Sequence, residues 1–284
     1  MKKIHVVLFL FILTACIGQE PSRENWLKNS ANEVIYVQVE GYEHRRNKKI
    51  AFIQHGLASN LEHSAVQTAK KAFLDNGYLV IIFDSRYSMG KSDGEVINVR
   101  LATFKKDLET VINWAKKQNF YREPFILAGH SLGGASVLQY SAENASVIDA
   151  VIPITPVVSG VTWENSCMFY MPDFCKDWKK KGFYNYQTVV LPYTVVEEAK
   201  NYDALRLAKD IKARVLLITA EDDHIIAPQD VKALYQALET KKSLGIVSEG
   251  VSFAILIMNA FVPLIDRYRA VCEAHAEGER DLFE

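Results

Sequence analysis

The sequence predicts an α/β fold, a mostly parallel sheet with helices on both faces. Apolar runs of about five to eight residues alternate with runs of helical period from Glu33 onward, the signature of β-α-β packing. Some of these runs are nearly all apolar rather than alternating, as strands covered on both faces must be. A chain of 284 residues that is 49% hydrophobic and 24% charged is also large and apolar enough to bury such a core.

In chain order, EVIYVQV (33–39) and KKIAFIQ (48–54) read as strands, the second as a central one. LEHSAVQTAKKAFLDNG (61–77) reads as a helix closed by Asn76-Gly77. Strand YLVIIFD (78–84), helix LATFKKDLETVINWAKKQN (101–119) and strand PFILAG (124–129) follow. Then come a sharp turn at Ser131, helix GASVLQYSAEN (134–144) and strand IDAVIPIT (148–155). The alternation breaks after Pro156. Residues from about 157 to 200 hold Trp163, Phe169, Tyr170, Phe174, Trp178, Phe183, Tyr184, Tyr186 and Tyr193 with no clean period. Such an insert reads as a lid over a pocket, or as a loop excursion folded onto the core. Strand ARVLLITA (213–220), helix PQDVKALYQALE (228–239), strand SLGIV (243–247) and an apolar helix from about Ala254 complete the pattern.

The first twenty residues differ in kind. Two lysines, an apolar stretch of about a dozen residues and a run of small residues make 1–15 a secretory signal, too short to span a bilayer as a helix. Leu13 to Cys16, LTAC, resembles the bacterial lipobox, in which the cysteine is lipidated and becomes the new N-terminus; a plain signal peptide is the alternative. The expected organisation is therefore a signal over 1–15 and one domain over 16–284. The expected location is the bacterial cell envelope, with the exported chain held to a membrane through lipid on Cys16. Export permits disulfides, and Cys167 and Cys175 either bridge or stand as two buried thiols, with Cys272 left over. A formal net charge of −1 carries no electrostatic footprint for nucleic acid.

The chemistry-bearing stretch is Gly129-His130-Ser131-Leu132-Gly133, a G-x-S-x-G pattern between an apolar strand and a helix. Its physical demand is a very tight strand-to-helix turn that lifts Ser131 Oγ above the sheet edge, with a helix N-terminus beneath it to favour developing negative charge. In this setting the pattern is a nucleophile elbow, and from here the chain resembles the α/β-hydrolase superfamily over essentially everything after the signal. The resemblance implies an α/β-hydrolase fold and a serine hydrolase acting on carboxylic esters. QHGLASN (54–60) is similar to the family's His-Gly loop, which implies that the N–H groups of Leu57 and Leu132 form the oxyanion hole, with His55 bracing the loop. FDSRYSMGKSDG (83–94) resembles the loop that shapes the site without doing chemistry. In LLITAEDDHIIAPQD, Asp223 falls on the family's acid, with Ile225, Ile226 and Pro228 behind it and Glu221 and Asp222 as its neighbours.

The base is out of pattern. The family places its histidine in a G-x-x-H setting after the last strand, and this chain reads Gly250-Val251-Ser252-Phe253. Phe253 thus occupies the expected position, 30 residues beyond Asp223. Beyond the acid only His224, adjacent to it, and His275, about 30 Å along a continuous helix, remain. His130 is expected to point away from the serine. Three readings stay open: the base is lost, another histidine (His55, His63 or His224) replaces it, or the register at the last strand differs.

Two functions follow. One is an ester hydrolase, with lysophospholipid, monoacylglycerol or short acyl esters as substrates; peptidases, thioesterases and haloperoxidases share the frame. The other is a non-catalytic binding protein of the same fold that holds a lipid or a partner. No cofactor is implied: no metal-ligand spacing and no G-x-G-x-x-G after a strand occurs.

Overall fold

The computed structural model describes residues 22–42 and 48–247. The signal, Cys16, Gly250, Phe253, the helix expected from Ala254, Cys272 and His275 lie outside them.

Eight strands form the main sheet: β1 (Arg23–Lys28), β2 (Val34–Glu40), β3 (Ile50–Gln54), β4 (Leu79–Phe83), β5 (Phe125–His130), β6 (Ile148–Ile154), β9 (Arg214–Ala220) and β10 (Lys242–Val247). Their spatial order is β1-β2-β4-β3-β5-β6-β9-β10. The β1–β2 and β2–β4 pairs are antiparallel and the rest are parallel. The apolar strands are the central ones: every side chain of β3 and β4 is buried. β1 escaped the sequence reading because it is an edge strand in which only Leu27 is buried, so it carries no apolar run.

Helices cover both faces. On one, α1 (Ser64–Asp75) inserts Ala65, Val66, Ala69, Ala72 and Phe73, an i, i+3, i+4 stripe. On the other lie α2 (Leu101–Ala115), α3 (Leu132–Glu143) and α8 (Pro228–Ala237). The segment between β6 and β9 holds α4 (Gly160–Tyr170), α5 (Pro172–Lys181), a hairpin of β7 (Phe183–Tyr186) and β8 (Val189–Pro192), α6 (Thr194–Ala199) and α7 (Ala204–Leu207).

The aromatic insert is thus more regular than its sequence suggests. Its helices are short, and the apolar side chains meet one another rather than forming one stripe towards the sheet. Trp178 packs edge-on to Tyr193 with centroids 5.4 Å apart and donates its indole N–H to the Leu191 carbonyl at 3.0 Å. Phe174 meets Tyr184 edge-on at 4.6 Å. A Cys167–Cys175 disulfide, Cα atoms 5.9 Å apart, joins α4 to α5 and decides the question left open by the sequence. Glu164 gathers Lys179 (2.8 Å), Lys200 (2.6 Å) and the Tyr193 hydroxyl on one carboxylate.

Candidate active site

The sheet delivers Ser131, the loop after β3 and the loop after β9 to its carboxyl edge, where ligands of open α/β sheets bind. At Ser131 the backbone adopts φ 54° and ψ −114°, a conformation that costs a non-glycine residue about 1–3 kcal/mol and persists only where neighbours enforce it. They do so here. Ser131 N donates to the Ile154 carbonyl at 2.9 Å, and the Ser131 carbonyl accepts from Ala135 N and Val157 N, each at 3.2 Å. The turn closes only because its flanking residues lack Cβ atoms. A Cβ on Gly129 would lie 2.3 Å from the Gly133 carbonyl oxygen, and one on Gly133 would lie 2.3 Å from that of His55.

The contact at Gly133 sets the start of α3 against the loop after β3. Leu132 opens α3, so its N–H has no intrahelical acceptor, and the Leu57 N–H has none among the described residues. Two backbone donors, one at a helix N-terminus, therefore stand on adjoining segments beside the serine.

Each nearby histidine has a definable state. His55 is fully buried, donates Nδ1–H to the Gly56 carbonyl (2.7 Å) and accepts from Ser85 N at Nε2 (2.9 Å), the bracing role expected of it. Burial holds its pKa below the usual range. His63 caps α1, its Nδ1 accepting from Ala65 N at 3.2 Å, so the neutral ring carries its proton on Nε2. The His130 ring stacks on His63 with centroids 4.9 Å apart. Burial, then the charges of His63 and His55, push its pKa down to about 3. His224 is exposed and stacks on Tyr170 at 4.9 Å, facing α4.

Asp223 sits half-buried in the loop after β9, with Oδ1 accepting from Ile225 N (2.8 Å) and Ile226 N (2.9 Å). Burial raises its pKa against the pull of these two N–H groups. Among the described residues, Oδ2 has no hydrogen-bond partner. Glu221 and Asp222 are exposed. The 83–94 loop is tied by Asp84, which accepts from Leu61 N and Lys91 N at 2.7 Å each, and by Arg86, which binds Asp107 and Glu33.

A cavity of about 660 Å³ opens over Ser131. Its floor is mixed, with Leu57, Ala58, Ser59, Asn60, Glu62 and His63 from the loop after β3, joined by Met89. Its roof comes from the insert and is largely aromatic, with Trp163, Phe174, Trp178, Tyr184 and Tyr186.

The fold has clear counterparts among solved structures. Est1E from Butyrivibrio proteoclasticus, with ferulic acid bound, superposes with a TM-score of 0.70 at 16% identity, covering 86% of this chain and 99% of that one. This chain has the α/β-hydrolase fold. Residues 45–185 of this α/β-hydrolase-fold chain match the family model described as serine aminopeptidase, S33. It is 27% identical over 201 residues to an Escherichia coli protein described as an uncharacterized 31.7 kDa protein in the traX-finO intergenic region, covering 59% of this chain and 70% of that one. It is 25% identical over 192 residues to the rat mitochondrial palmitoyl-protein thioesterase ABHD10, covering 64% of this chain and 60% of the relative. Together these matches support a hydrolytic function.

The structure brings Ser131, Leu57, Leu132 and Asp223 to one edge of the sheet; the position read as the base, Phe253, lies outside the described residues. The sequence did not reveal the contact between Tyr170 and His224, which ties α4 to the loop that carries Asp223. An aromatic at the end of α4 and a histidine beside the acid signal nothing until the fold apposes them.

Proposed function

We propose that this protein is an exported serine hydrolase that cleaves carboxylic esters with acyl portions, using Ser131 as nucleophile. The observation that carries the reading is the enforced backbone of Ser131 beneath an aromatic-roofed cavity, next to two backbone N–H groups without acceptors among the described residues. Ser131 Oγ attacks the ester carbonyl, and the oxyanion is held by Leu57 N–H and Leu132 N–H. The serine proton passes by way of a base to the leaving alcohol, and water releases the acid from the acyl-enzyme. Asp223 Oδ2 orients that base. The insert over 157–200 acts as the lid. Lipid on Cys16 holds the domain at a membrane of the cell envelope, which suits a lipid substrate. An acyl thioester is the competing substrate, supported by the name of the rat relative.

A second reading, a non-catalytic binding protein, has its own support. Phe253 occupies the sequence position at which the family resemblance expects the base, and the nearby histidines are poor substitutes. Both His55 nitrogens are engaged, His63 presents a protonated Nε2, and His130 is too weakly basic. Loss of a triad histidine costs on the order of 10⁶ in turnover, while the oxyanion hole alone leaves about 10³–10⁴ over water. Hydrolysis of p-nitrophenyl esters and fluorophosphonate labelling, measured for the chain, Ser131→Ala and Phe253→His, separate the two. Substantial Ser131-dependent turnover by the unaltered chain sinks the binding reading. A gain of at least a hundredfold in Phe253→His assigns the base position, and no turnover even then refutes that assignment.

A further inference from the structure

The elements that border the cavity carry apolar side chains in open water. Phe169 is 77% exposed, Ile225 54% and Phe183 43%. They are not scattered. The hairpin has two faces, because directly paired residues share a side. Tyr184 and Leu191 pair on the inner one and line the cavity, while Phe183 (paired with Pro192) and Val190 (paired with Asn185) lie on the outer one, exposed. Tyr186 and Ile225 line the cavity and are also exposed, which places both at its mouth. From Ile225 the apolar strip continues through His224 stacked on Tyr170 to Phe169, packed edge-on against Tyr170 at 4.9 Å. A water-facing rim has no reason to be this apolar unless it meets something.

The charge beside the rim identifies what it meets. Residues 172–193, which make up α5 and the hairpin, contain four lysines and two aspartates, Asp173 and Asp177, in a chain whose net charge is −1. Lys179 and Lys181 are engaged by Glu164 and Asp177, but Lys176 and Lys180 carry no ion pair among the described residues. These two stand four residues apart on α5, on the side away from its buried Cys175 and Trp178. Exposed aromatic and aliphatic side chains next to lysines are the composition that settles at a bilayer interface bearing anionic headgroups. The tether agrees. With Cys16 lipidated as proposed above, the seven residues from there to Arg23 reach at most about 25 Å, so the domain stays close to the lipid.

We propose that the rim formed by the hairpin, α5 and the end of α4 docks on an anionic lipid surface and turns the cavity mouth towards the bilayer. This deepens the ester-hydrolase reading by naming where the substrate enters. Docking is measured without turnover, so the two proposals fail separately.

The test is flotation of the full chain carrying Cys16→Ser with vesicles of phosphatidylcholine alone or with about a third phosphatidylglycerol, at low and high salt. Binding through the apolar N-terminal stretch is common to all variants, so differences between them report the rim. Phosphatidylglycerol is expected to raise the partition coefficient about tenfold, and high salt to remove the gain. Lys176→Gln with Lys180→Gln lowers it about 5- to 10-fold on anionic vesicles only, since each lysine near a charged surface is worth up to about fivefold and together they cannot remove more than the anionic gain. Phe183→Ser with Val190→Ser lowers it on both vesicle types. All four positions are exposed, and unchanged thermal melts verify folding. Equal binding to neutral and anionic vesicles by the parent, or parental binding by both double variants, overturns the proposal. So does loss of self-association in place of vesicle binding, which would assign the rim to a second copy of the chain.

Discussion

Replacing Glu164 by glutamine tests whether the insert is held together by one ionised carboxylate. The group is only 16% exposed, and burial alone would raise its pKa. Bonds from Lys179, Lys200 and Tyr193 outweigh burial and hold it down at about 2, against 4.5 for a free glutamate. Because the folded-state pKa lies below the unfolded one, the stabilisation is complete above pH 4.5 and is lost as pH falls towards about 2. The difference corresponds to about 3 kcal/mol, and since Lys179 is half exposed we expect about 2 kcal/mol from the intact cluster. Urea unfolding of the parent and Glu164→Gln at pH 7, 5, 4 and 3 measures it. The parent should be more stable by about 2 kcal/mol at pH 7 and 5, and by less than half of that at pH 3. A gap that stays constant from pH 7 to 3, or no gap at pH 7, would refute the reasoning.

Two further outcomes follow from packing. Gly133→Ala should destabilise the fold by about 2–3 kcal/mol and abolish fluorophosphonate labelling, because its Cβ meets the backbone oxygens of His55 and Gln54 at 2.3 and 2.6 Å, which cannot step aside; a melt like the parent's would contradict the close approach of α3. Converting both Cys167 and Cys175 to serine removes a short-loop crosslink worth about 2.5 kcal/mol. Hydrogen exchange should then rise across 160–192 and stay unchanged in β3 to β6; a uniform rise would mean that the bridge supports the whole domain rather than the roof.

What was legible in the sequence was whatever short-range pattern encodes. The buried strands announce themselves by apolar runs, the elbow by glycines at 129 and 133, and Asp223 by its place behind a strand and ahead of Ile225, Ile226 and Pro228. β1 was invisible because an edge strand needs a partner more than it needs hydrophobicity. The insert was misjudged as irregular because its aromatic residues are spent on one another across short elements, so no period survives in the chain. The histidines were the least readable of all. His55 and His63 share a residue type and a neighbourhood, yet an amide 30 residues away at Ser85 sets the tautomer of the first and an adjacent helix start sets that of the second. Protonation states are properties of contacts, and contacts at that range leave no local trace.

The stack of Tyr170 on His224 places the roof and the acid loop in mechanical series. A guest that lifted the end of α4 would tug on the segment whose amides hold Asp223 Oδ1, so in the proposed hydrolase admission and orientation would share one spring. If Asp223 orients a base as proposed, the entrance is then part of the catalytic alignment, and selection for a wider door retunes the chemistry behind it.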